Sequence, residues 1–489
     1  MDWKLTREAR RSTMGGGGSK RKPHMLLKET LCDHSQGITC MAVSEDGSLI
    51  ATGSDDKTVR MWAAGDSETE CLGILKGHTQ YVTCVNMYDA YVITGSADNT
   101  IRKWDATSCD CLAVYEGHEA RVIRVLCNGD FIFSAANDTT AKAWVFDNPE
   151  FNDDITDTVS FYKSFDGHSL GISSLIFIPG DEDARTIEDD DVVINVDDIL
   201  ITGSADHTAR TWSVATGKTI HIFRGHKGPV SCMSANAEGT ILYTGSMDST
   251  IRIWNIQEGH ILKILKGHNG AVLTLSVVNK LLYSGSTDDT AKCWVENLDV
   301  PGISYKGHLH TVSCVKYHAG YVFTGSGDAC ARVYDAKSGA LKAVYRAHSS
   351  AITCMNLIGD NLYTGSSDNT LRVWDASKAT LESEELLDLM EDEEELEGSA
   401  PVPAKAFDEH KLKAYNGEDV DVASAQLKPP SSPHLRVPSP TPSGRSRLSP
   451  SPSPLHSAKG RVSPSPSQLS ARGLLDDSKG RRSIADLDF

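Results

Sequence analysis

Short apolar runs alternate with polar turn residues over most of the chain. The stretch YVTCVNMYDAYVITGSADNTIRKW (residues 81–104) shows the pattern, with three β-rich runs separated by turn-forming residues. Short runs rich in β-branched and aromatic residues favour strands, and an aspartate beside serine or asparagine favours a tight turn. The pattern therefore predicts antiparallel strands joined by tight turns, and an all-β fold.

The SADN-type turn recurs at a nearly constant distance. Eight copies align on an aspartate, and successive aspartates are 42, 40, 68, 42, 40, 40 and 40 residues apart. A period near 40 is the signature of a repeat architecture, in which each copy forms one small unit of structure. The aspartates are Asp56, Asp98, Asp138, Asp206, Asp248, Asp288, Asp328 and Asp368.

Three further residue types accompany each aspartate. A tryptophan follows it by six residues in seven copies, and Tyr334 takes that place in the other copy. A threonine or serine precedes it by four residues, and a histidine by about 20, or more where an insertion intervenes. The tryptophans are Trp62, Trp104, Trp144, Trp212, Trp254, Trp294 and Trp374. The hydroxyl residues are Thr52, Thr94, Ser134, Thr202, Thr244, Ser284, Thr324 and Thr364. The histidines are His34, His78, His118, His168, His226, His268, His308 and His348.

In these recurring residues the chain resembles the WD-repeat family over about residues 26–375. The resemblance implies four strands per copy, forming a blade, and eight blades arranged radially as a β-propeller. A seven-bladed ring with a stray repeat is the alternative.

The resemblance also implies one hydrogen-bonded set of His, Ser/Thr, Asp and Trp in each blade. Hydrogen bonds to a charged acceptor contribute about 1.5–3 kcal/mol each when buried. Three complete structural sets are His78, Thr94, Asp98 and Trp104; His226, Thr244, Asp248 and Trp254; and His348, Thr364, Asp368 and Trp374.

The ring is expected to close through its N-terminal strand. MLLKETLC (residues 25–32) resembles the outer-strand segments CLGILKG and CLAVYEG, whereas the segment after Trp374 does not. We therefore expect the N-terminal strand to complete the last blade as a clasp. The propeller domain is predicted to span residues 25–375, between a basic glycine-rich arm (1–24) and two C-terminal regions (376–398 and 399–489).

Composition narrows the classes of function. The net charge of −18 argues against nucleic-acid binding by bulk electrostatics. No apolar run reaches the roughly 18 residues of a membrane span, and the N-terminus has no apolar signal core. We therefore expect a cytoplasmic protein.

The cysteines indicate packing rather than chemistry. Five of the 12 occupy one repeat position inside apolar runs, as buried reduced cysteines do. Cys109 and Cys111 have no partner pair at zinc-like spacing, so we expect neither a metal nor a cofactor. The five are Cys40, Cys84, Cys232, Cys314 and Cys354.

Two insertions enlarge the 68-residue interval. One follows Trp144, and the other, IPGDEDARTIEDDDVVINVDD (178–198), separates the first two strands of the fourth blade. Both connections lie on the same face of a propeller, so they predict one protruding acidic lip. We interpret it as a solvated loop. A basic partner or calcium is the alternative, although the spacing matches no calcium loop.

The C-terminal regions differ in composition. Residues 381–398 contain ten acidic residues among eighteen, with interspersed leucines that favour either a short amphipathic helix or a solvated segment. Beyond Gly398 the Pro- and Ser-rich composition predicts disorder. The alternative to a regulated tail is a passive linker whose Ser-Pro and Thr-Pro sites occur by chance. We expect proline-directed kinases to phosphorylate this tail. Its Ser-Pro and Thr-Pro sites are Ser432, Ser439, Thr441, Ser449, Ser451, Ser453, Ser463 and Ser465.

The N-terminal arm contains a myristoylation-like sequence. MGGGGSKRKPH begins at Met14, so a start there would expose Gly15 and place Ser19 where that signal requires it. The basic run 20–22 follows, and one acyl chain plus a basic cluster is the two-signal arrangement that anchors. We expect lipidation of Gly15 and membrane association only if translation starts at Met14. A glycine linker and a nuclear-import signal are the alternatives.

An interaction platform is favoured over an enzyme. The histidine–aspartate pairs occur once per copy beside the same hydroxyl, whereas a catalytic site is normally assembled once. The expected partners are proteins or peptides bound near the histidine loops, where Tyr81 and Arg121 have hot-spot character on neighbouring blades. A substrate receptor of a ubiquitin ligase is the runner-up, although the residues before the aspartate turns include no arginine.

The seventh copy departs from the pattern. Tyr334 lacks an indole donor; in the first and eighth copies, Asp33 and Ala347 replace the glycine before the histidine. We therefore expect Asp248→Ala to destabilise the ring more than Asp328→Ala.

Overall fold

The computed structural model describes residues 26–65, 68–146, 161–181, 185–187, 193–278, 280–295 and 301–377, and their regular secondary structure is β-strand. Gly15, the acidic segment 381–398 and the eight predicted phosphorylation sites lie outside the described residues.

The strands of the first half are β1 (Leu27–Leu31), β2 (Ile38–Val43), β3 (Leu49–Ser54), β4 (Thr58–Ala63), β5 (Glu70–Lys76), β6 (Val82–Tyr88), β7 (Tyr91–Ser96), β8 (Ile101–Asp105), β9 (Cys111–Tyr115), β10 (Val122–Cys127), β11 (Phe131–Ala136), β12 (Ala141–Val145), β13 (Phe161–Phe165), β14 (Ile172–Ile178), β15 (Arg185–Ile187), β16 (Val193–Asn195) and β17 (Ile199–Ser204). Those of the second half are β18 (Thr208–Ser213), β19 (Thr219–Arg224), β20 (Val230–Ala235), β21 (Ile241–Ser246), β22 (Thr250–Asn255), β23 (Ile261–Lys266), β24 (Val272–Val278), β25 (Leu281–Ser286), β26 (Ala291–Val295), β27 (Ile303–Tyr305), β28 (Val312–His318), β29 (Tyr321–Ser326), β30 (Cys330–Asp335), β31 (Leu341–Arg346), β32 (Ile352–Ile358), β33 (Asn361–Ser366) and β34 (Leu371–Asp375).

Eight four-stranded antiparallel sheets form the blades. Blades 1 to 3 are β2–β5, β6–β9 and β10–β13; blade 4 is β14-β17-β18-β19; blades 5 to 7 are β20–β23, β24–β27 and β28–β31; and blade 8 is β32-β33-β34-β1. The innermost strands contact one another in sequence around the ring, and β32 of blade 8 contacts β2 of blade 1. The eight-bladed propeller is therefore confirmed, and the seven-bladed alternative is wrong.

The N-terminal strand closes the ring as predicted. β1 pairs antiparallel with β34, and Asp375 donates its backbone N–H to Leu26 O at 2.8 Å. The Glu29 carboxylate also accepts the backbone N–H of Thr69, at the entrance to β5 of blade 1. Because β1 is covalently continuous with blade 1 and paired with blade 8, the first and last blades are joined at this strand.

The glycine of each TGS-type segment allows neighbouring blades to pack closely. A Cβ on Gly53 would lie 2.6 Å from Cys40 Sγ in the same blade and 2.8 Å from Val82 Cγ1 in the next. The equivalent Gly95 and Gly245 would meet Cys84 and Cys232 in the same way. No side chain fits here, so this glycine follows from the packing of one blade on another.

Hydroxyl groups on the innermost strands link adjacent blades. Thr39 Oγ1 donates to Val82 O of blade 2 at 2.6 Å, and Thr353 Oγ1 donates to Ile38 O across the boundary between blades 8 and 1, also at 2.6 Å. Blades 3 and 6 carry Ile123 and Leu273 at this position, which have no hydroxyl. The other linking residues are Thr83, Ser173, Ser231 and Ser313.

The acidic insertion in blade 4 is not simply a solvated loop. β15 and β16 form a two-stranded hairpin, and Ile194 is buried in a cluster with Phe131, Phe133 and Leu200. Gly180 N donates to Asp198 Oδ1 at 2.8 Å, which fixes the base of the insertion. Ile194 therefore anchors the hairpin to the core, an apolar contact that the acidic composition concealed.

Candidate interaction face

The histidine, aspartate and hydroxyl of the set are joined in every blade on one face of the ring, and the tryptophan completes the set in all blades but blade 7. We call this the histidine face, because it carries the eight histidine loops and aspartate turns. In blade 2, His78 Nδ1 lies 2.9 Å from Asp98 Oδ2 and His78 Nε2 lies 2.7 Å from Thr94 Oγ1. Trp104 Nε1 donates to Thr94 Oγ1 at 2.9 Å. These distances place a proton on His78 Nδ1, where it is donated to the carboxylate, and leave Nε2 to accept the hydroxyl proton.

The other two complete sets have the same geometry. His226 Nδ1 lies 2.9 Å from Asp248 Oδ2, and Trp254 Nε1 donates to Thr244 Oγ1 at 2.9 Å. In blade 8 the carboxylate of Asp368 lies 2.9 Å from His348 Nδ1, while Thr364 Oγ1 lies 2.8 Å from Nε2 and accepts from Trp374 Nε1 at 2.8 Å. The sets tie the outer part of each blade to its inner strands.

The aspartates of these sets are held ionised. Burial alone would raise the pKa of Asp138, but hydrogen bonds from His118 and Thr140 and the proximity of the His118 ring outweigh it and lower that pKa to about 2. The same causes lower the pKa of Asp98 and Asp248 further. The oxygens of each carboxylate accept hydrogen bonds from donors of the same blade, as Asp98 does from His78, Thr79 and Thr100. The aspartates therefore have a structural role.

Blade 7 keeps the contacts of His308 with Asp328 and Thr324 but lacks the indole, and it adds a buried ion pair. Cys330 stands where the other blades have threonine, and Tyr334 donates its hydroxyl to Lys306 O at 3.1 Å rather than to Thr324. Arg332 is 1 % exposed, and its Nη1 lies 2.6 Å from Asp328 Oδ2. The guanidinium therefore occupies space that the indole and the threonine hydroxyl leave open.

Tyr81 and Arg121 lie together on the histidine face. Arg121 Nη1 donates to Tyr81 Oη at 3.2 Å across the boundary between blades 2 and 3. With its amide oxygen turned toward the guanidinium, Asn137 accepts from Arg121 Nε at 2.8 Å and from Nη2 at 2.9 Å. The sequence placed Asn137 before an aspartate turn but gave it no role. It fixes the plane of the guanidinium between two partners.

The cysteines of the innermost strands are unreactive by environment. Burial raises the pKa of Cys40 to about 12 and that of Cys84 to about 11, despite hydrogen bonds from Thr39 and Thr83. Within the described residues, no group of three or more His, Cys, Asp or Glu side chains has a geometry that would hold a metal ion. The same part of the chain contains no helix long and apolar enough to cross a membrane.

Seven segments of the chain match one known repeat family. The family model "WD domain, G-beta repeat" matches residues 26–63, 69–105, 109–144, 217–255, 259–295, 300–335 and 339–375, more than half of the chain. The chain belongs to the WD40 repeat family. Each matched WD40 repeat joins the outer strand of one blade to the first three strands of the next. The unmatched stretch 145–216 contains the first three strands of blade 4, where the insertion interrupts the repeat.

Curated relatives match part of the WD40 region. The chain is 28% identical over 220 residues to the CCR4-associated factor 4 homolog of Candida glabrata, covering 42% of this chain and 36% of the relative. It is 28% identical over 226 residues to mitochondrial division protein 1 of Schizosaccharomyces pombe, covering 41% and 33%. WD repeat-containing protein pop1 of S. pombe is 25% identical over 206 residues, covering 39% and 22%. The chain thus spans about a third or less of the length of these relatives.

Solved structures share the fold. The computationally designed Ika8 protein has a TM-score of 0.58 and 24% identity, with 70% of this chain and 97% of that chain covered. Sqt1 of Saccharomyces cerevisiae has a TM-score of 0.63 and 13% identity, with 72% and 98% covered. WD40 propellers are generally non-catalytic and generally bind other proteins.

Proposed function

We propose that this WD40 propeller is a non-catalytic scaffold that binds a protein or peptide at Tyr81 and Arg121. The observation that carries the proposal is the cluster of Tyr81, Arg121 and Asn137, which spans two blades on the histidine face. Tyrosine and arginine are enriched among the residues that dominate binding energy. Arg121 is held by its neighbours before any partner arrives, which reduces the ordering cost of association.

The surroundings of the cluster suit a docking peptide. The equivalent positions in blades 4, 5 and 6 are the small residues Gly171, Pro229 and Ala271. With the amide oxygen of Asn137 turned toward Arg121, a Cβ on Gly171 would lie 2.9 Å from the amide nitrogen, so a larger residue there would displace the amide that orients Arg121. A partner would therefore contact the half-buried side chains of Tyr81 and Arg121 next to a surface formed by small residues.

A quantitative pull-down tests the proposed site. Tyr81→Ala combined with Arg121→Ala is expected to lose one set of captured proteins at least tenfold, since hot-spot truncations cost on the order of 2 kcal/mol or more. Leu309→Ala is a matched control, because Leu309 is 59% exposed on the histidine face of blade 7. Equal recovery of every captured protein by wild type and the double variant would rule out this site.

The C-terminal tail and the N-terminal arm suggest how the scaffold is regulated and where in the cell it works. We propose that phosphorylation at the Ser-Pro and Thr-Pro sites regulates the scaffold and that the protein works in the cytoplasm. Phosphosite mapping from cells tests the first point, and eight unmodified sites would refute it. Intact mass tests whether chains starting at Gly15 carry myristate. Only such chains would associate with membranes.

The resemblance can be narrowed within the family. Residues 316–339 resemble WD repeat-containing protein 86, and we propose that protein as a counterpart of this chain. A full-length alignment in which the tails also correspond would support the assignment, and tails of unrelated composition would oppose it.

A further inference from the structure

Cations line the outer rim of the histidine face over three consecutive blades. They occupy two positions in each blade, one in the third strand and one at the outer end of the fourth. We call the six residues the basic arc: Arg210 and Arg224 of blade 4, Arg252 and Lys266 of blade 5, and Lys292 and Lys306 of blade 6.

Four of the six arc residues have no ion-pair partner among the described residues. Arg224, Lys266 and Lys306 are exposed. Among the described residues, the side chains of Arg224, Arg252, Lys266 and Lys306 form no ion pair or hydrogen bond.

The cations of the arc also lie near one another. Burial and the nearby Arg224 charge lower the pKa of Arg210, although Asp206 opposes this. Burial and the nearby Lys306 charge likewise lower the pKa of Lys292 against the effect of Asp288. Arg210 and Lys292 thus each have an aspartate of their own blade nearby, whereas the exposed ends Arg224, Lys266 and Lys306 carry the outward positive charge of the arc.

The same positions differ in blades 2 and 3. There the outer end of the fourth strand is followed by Glu116 and Asp166, each beside a third strand that carries Arg102 or Lys142. At these two positions blades 2 and 3 thus combine a cation with a carboxylate, whereas blade 1 (Arg60 and Lys76) and blades 4 to 7 carry two cations. In a chain of net charge −18, the run of such cations over the consecutive blades 4 to 6 matches a negative ligand.

A strongly acidic segment follows the last strand of the ring in the sequence. Residues 381–398 contain ten Asp and Glu residues and begin four residues beyond Ser377, the last described residue. Ser377 follows the third strand of blade 8, and blade 7 lies between blade 8 and the blade 6 end of the arc.

The length of the chain allows a return to the rim. β34 runs away from the histidine face, so the chain must cross the height of a blade, about 20 Å for a six-residue strand. An extended chain covers about 3.3 Å per residue. About six of the 13 residues between Ser377 and Glu391 cover that height, and the other seven extend about 23 Å past blade 7, so that the run EDEEE (391–395) can contact the arc from its blade 6 end.

We propose that the basic arc is the docking surface for this chain's own acidic segment, residues 381–398. The tether gives the segment an effective concentration on the order of 1 mM at the arc, so a weak contact is sufficient. The bound segment covers the rim of the histidine face over blades 5 and 6. It leaves the Tyr81–Arg121 cluster open, so this inference is independent of the proposed binding site.

Zero-length carbodiimide cross-linking of the full chain tests the contact. The reagent joins amines to carboxylates that touch, so Lys266 and Lys306 are expected to cross-link to residues 391–395. Mixing chains labelled with nitrogen-14 and nitrogen-15 distinguishes links within one chain from links between chains. The cross-links should weaken at 0.5 M salt, because the Debye length then falls to about 4 Å.

Charge reversal provides the matched comparison. Lys266→Glu with Lys306→Glu changes the arc, and Lys76→Glu changes the same outer-strand end in blade 1, outside the arc. A labelled peptide of residues 381–398 is titrated onto a full chain whose own residues 391–395 are replaced by Ser. That chain should bind the peptide about tenfold more tightly than wild type, in which the tethered copy competes.

The outcomes separate the possibilities. Links within one chain to the arc lysines, and loss of peptide binding in the arc variant but not in Lys76→Glu, support the proposal. Links formed solely between differently labelled chains overturn docking in cis. Absence of links to the arc, or peptide binding that survives Lys266→Glu with Lys306→Glu, overturns the arc as the surface. Melting curves of each variant verify that the ring is intact.

Discussion

Two aspartates at equivalent positions have different neighbours. Asp248 accepts from His226 and from the backbone of Lys227, within a complete set that includes Trp254. Asp328 accepts from His308 and also neutralises the buried guanidinium of Arg332. The sequence suggested that blade 7 has lost part of its set, whereas the structure shows that it has gained a buried charge.

This difference reverses the expected order of the two alanine variants. Asp248→Ala should lower the free energy of unfolding by about 2–3 kcal/mol, from lost charge-assisted hydrogen bonds. Asp328→Ala should cost about 3–5 kcal/mol, because it leaves a buried arginine without its counter-charge. Urea denaturation measures both. Adding Arg332→Met to Asp328→Ala should restore part of the loss, and a larger loss for Asp248→Ala would contradict this account.

The strands at the ends of the ring carry its closure. β1 is covalently joined to blade 1 but completes the sheet of blade 8 through non-covalent pairing with β34. The other fourth strands are joined by short connections to the third strand of their own blade or by the longer insertion in blade 3. The β1–β34 ladder is therefore where the ring opens when it is weakened.

Proline in the clasp tests this closure. Glu29 pairs with Val373, and Glu29→Pro removes a backbone donor in the strand and restricts its backbone, a cost of about 3 kcal/mol or more. We expect a lower melting temperature and increased proteolysis of β1. Glu29→Ala is the control, since it removes the carboxylate but keeps the strand. If both variants melt alike, the clasp does not limit the stability of the ring.

The inter-blade hydroxyls should contribute individually. Thr353→Val removes the hydrogen bond to Ile38 O at the boundary between blades 8 and 1 while keeping the shape of the side chain. The expected loss is about 1–2 kcal/mol in urea denaturation, because a buried carbonyl loses its partner. Ile123→Val in blade 3, where the hydroxyl is absent, should cost only about 0.5–1.5 kcal/mol through lost packing. A loss for Thr353→Val below that of Ile123→Val would argue against the hydroxyl link.

Every blade of the ring contains a buried histidine paired with an aspartate. These aspartates have lowered pKa values in the folded state, so below about pH 4 the unfolded chain binds more protons than the folded chain. Burial also lowers the pKa of His168 and His348, against the effect of their aspartates, so their contribution to stability is lost as the pH falls below about 6.5. The aspartates and the two histidines therefore both make the folded ring less stable as the pH falls.

Acid should therefore unfold the ring cooperatively. The urea midpoint is expected to fall gently from pH 7 to pH 5, as the two histidines protonate in the unfolded state, and steeply below pH 4. Circular dichroism at a series of pH values measures this profile. Substituting His168 and His348 by Gln should remove the gentle fall of the urea midpoint between pH 7 and pH 5 and leave the steep fall below pH 4 unchanged. A midpoint that stays constant down to pH 3 would show that these pairs do not govern stability.

The repeat, the turns and the clasp could be predicted because they depend on local signals. Asp98 and Trp104 recur at a fixed spacing that matches one blade, and MLLKETLC carries the alternation of an outer strand. The Tyr81–Arg121 pair was predicted from equivalent positions on neighbouring blades, although its partner Asn137 was not given a role. These features follow from the sequence because a blade is built almost entirely from residues close in the chain.

Contacts between distant segments were decided only by the tertiary structure. Arg332 turns inward because Tyr334 and Cys330 together leave a space beside Asp328, and neither residue alone signals this. Thr353 reaches Ile38 only after the ring closes, and Ile194 joins the core only when its hairpin folds against blades 3 and 4. The sequence by itself determined the repeating blade. Packing between blades determined which polar groups are paired and where positive charge is left exposed, because those contacts join residues far apart in the chain.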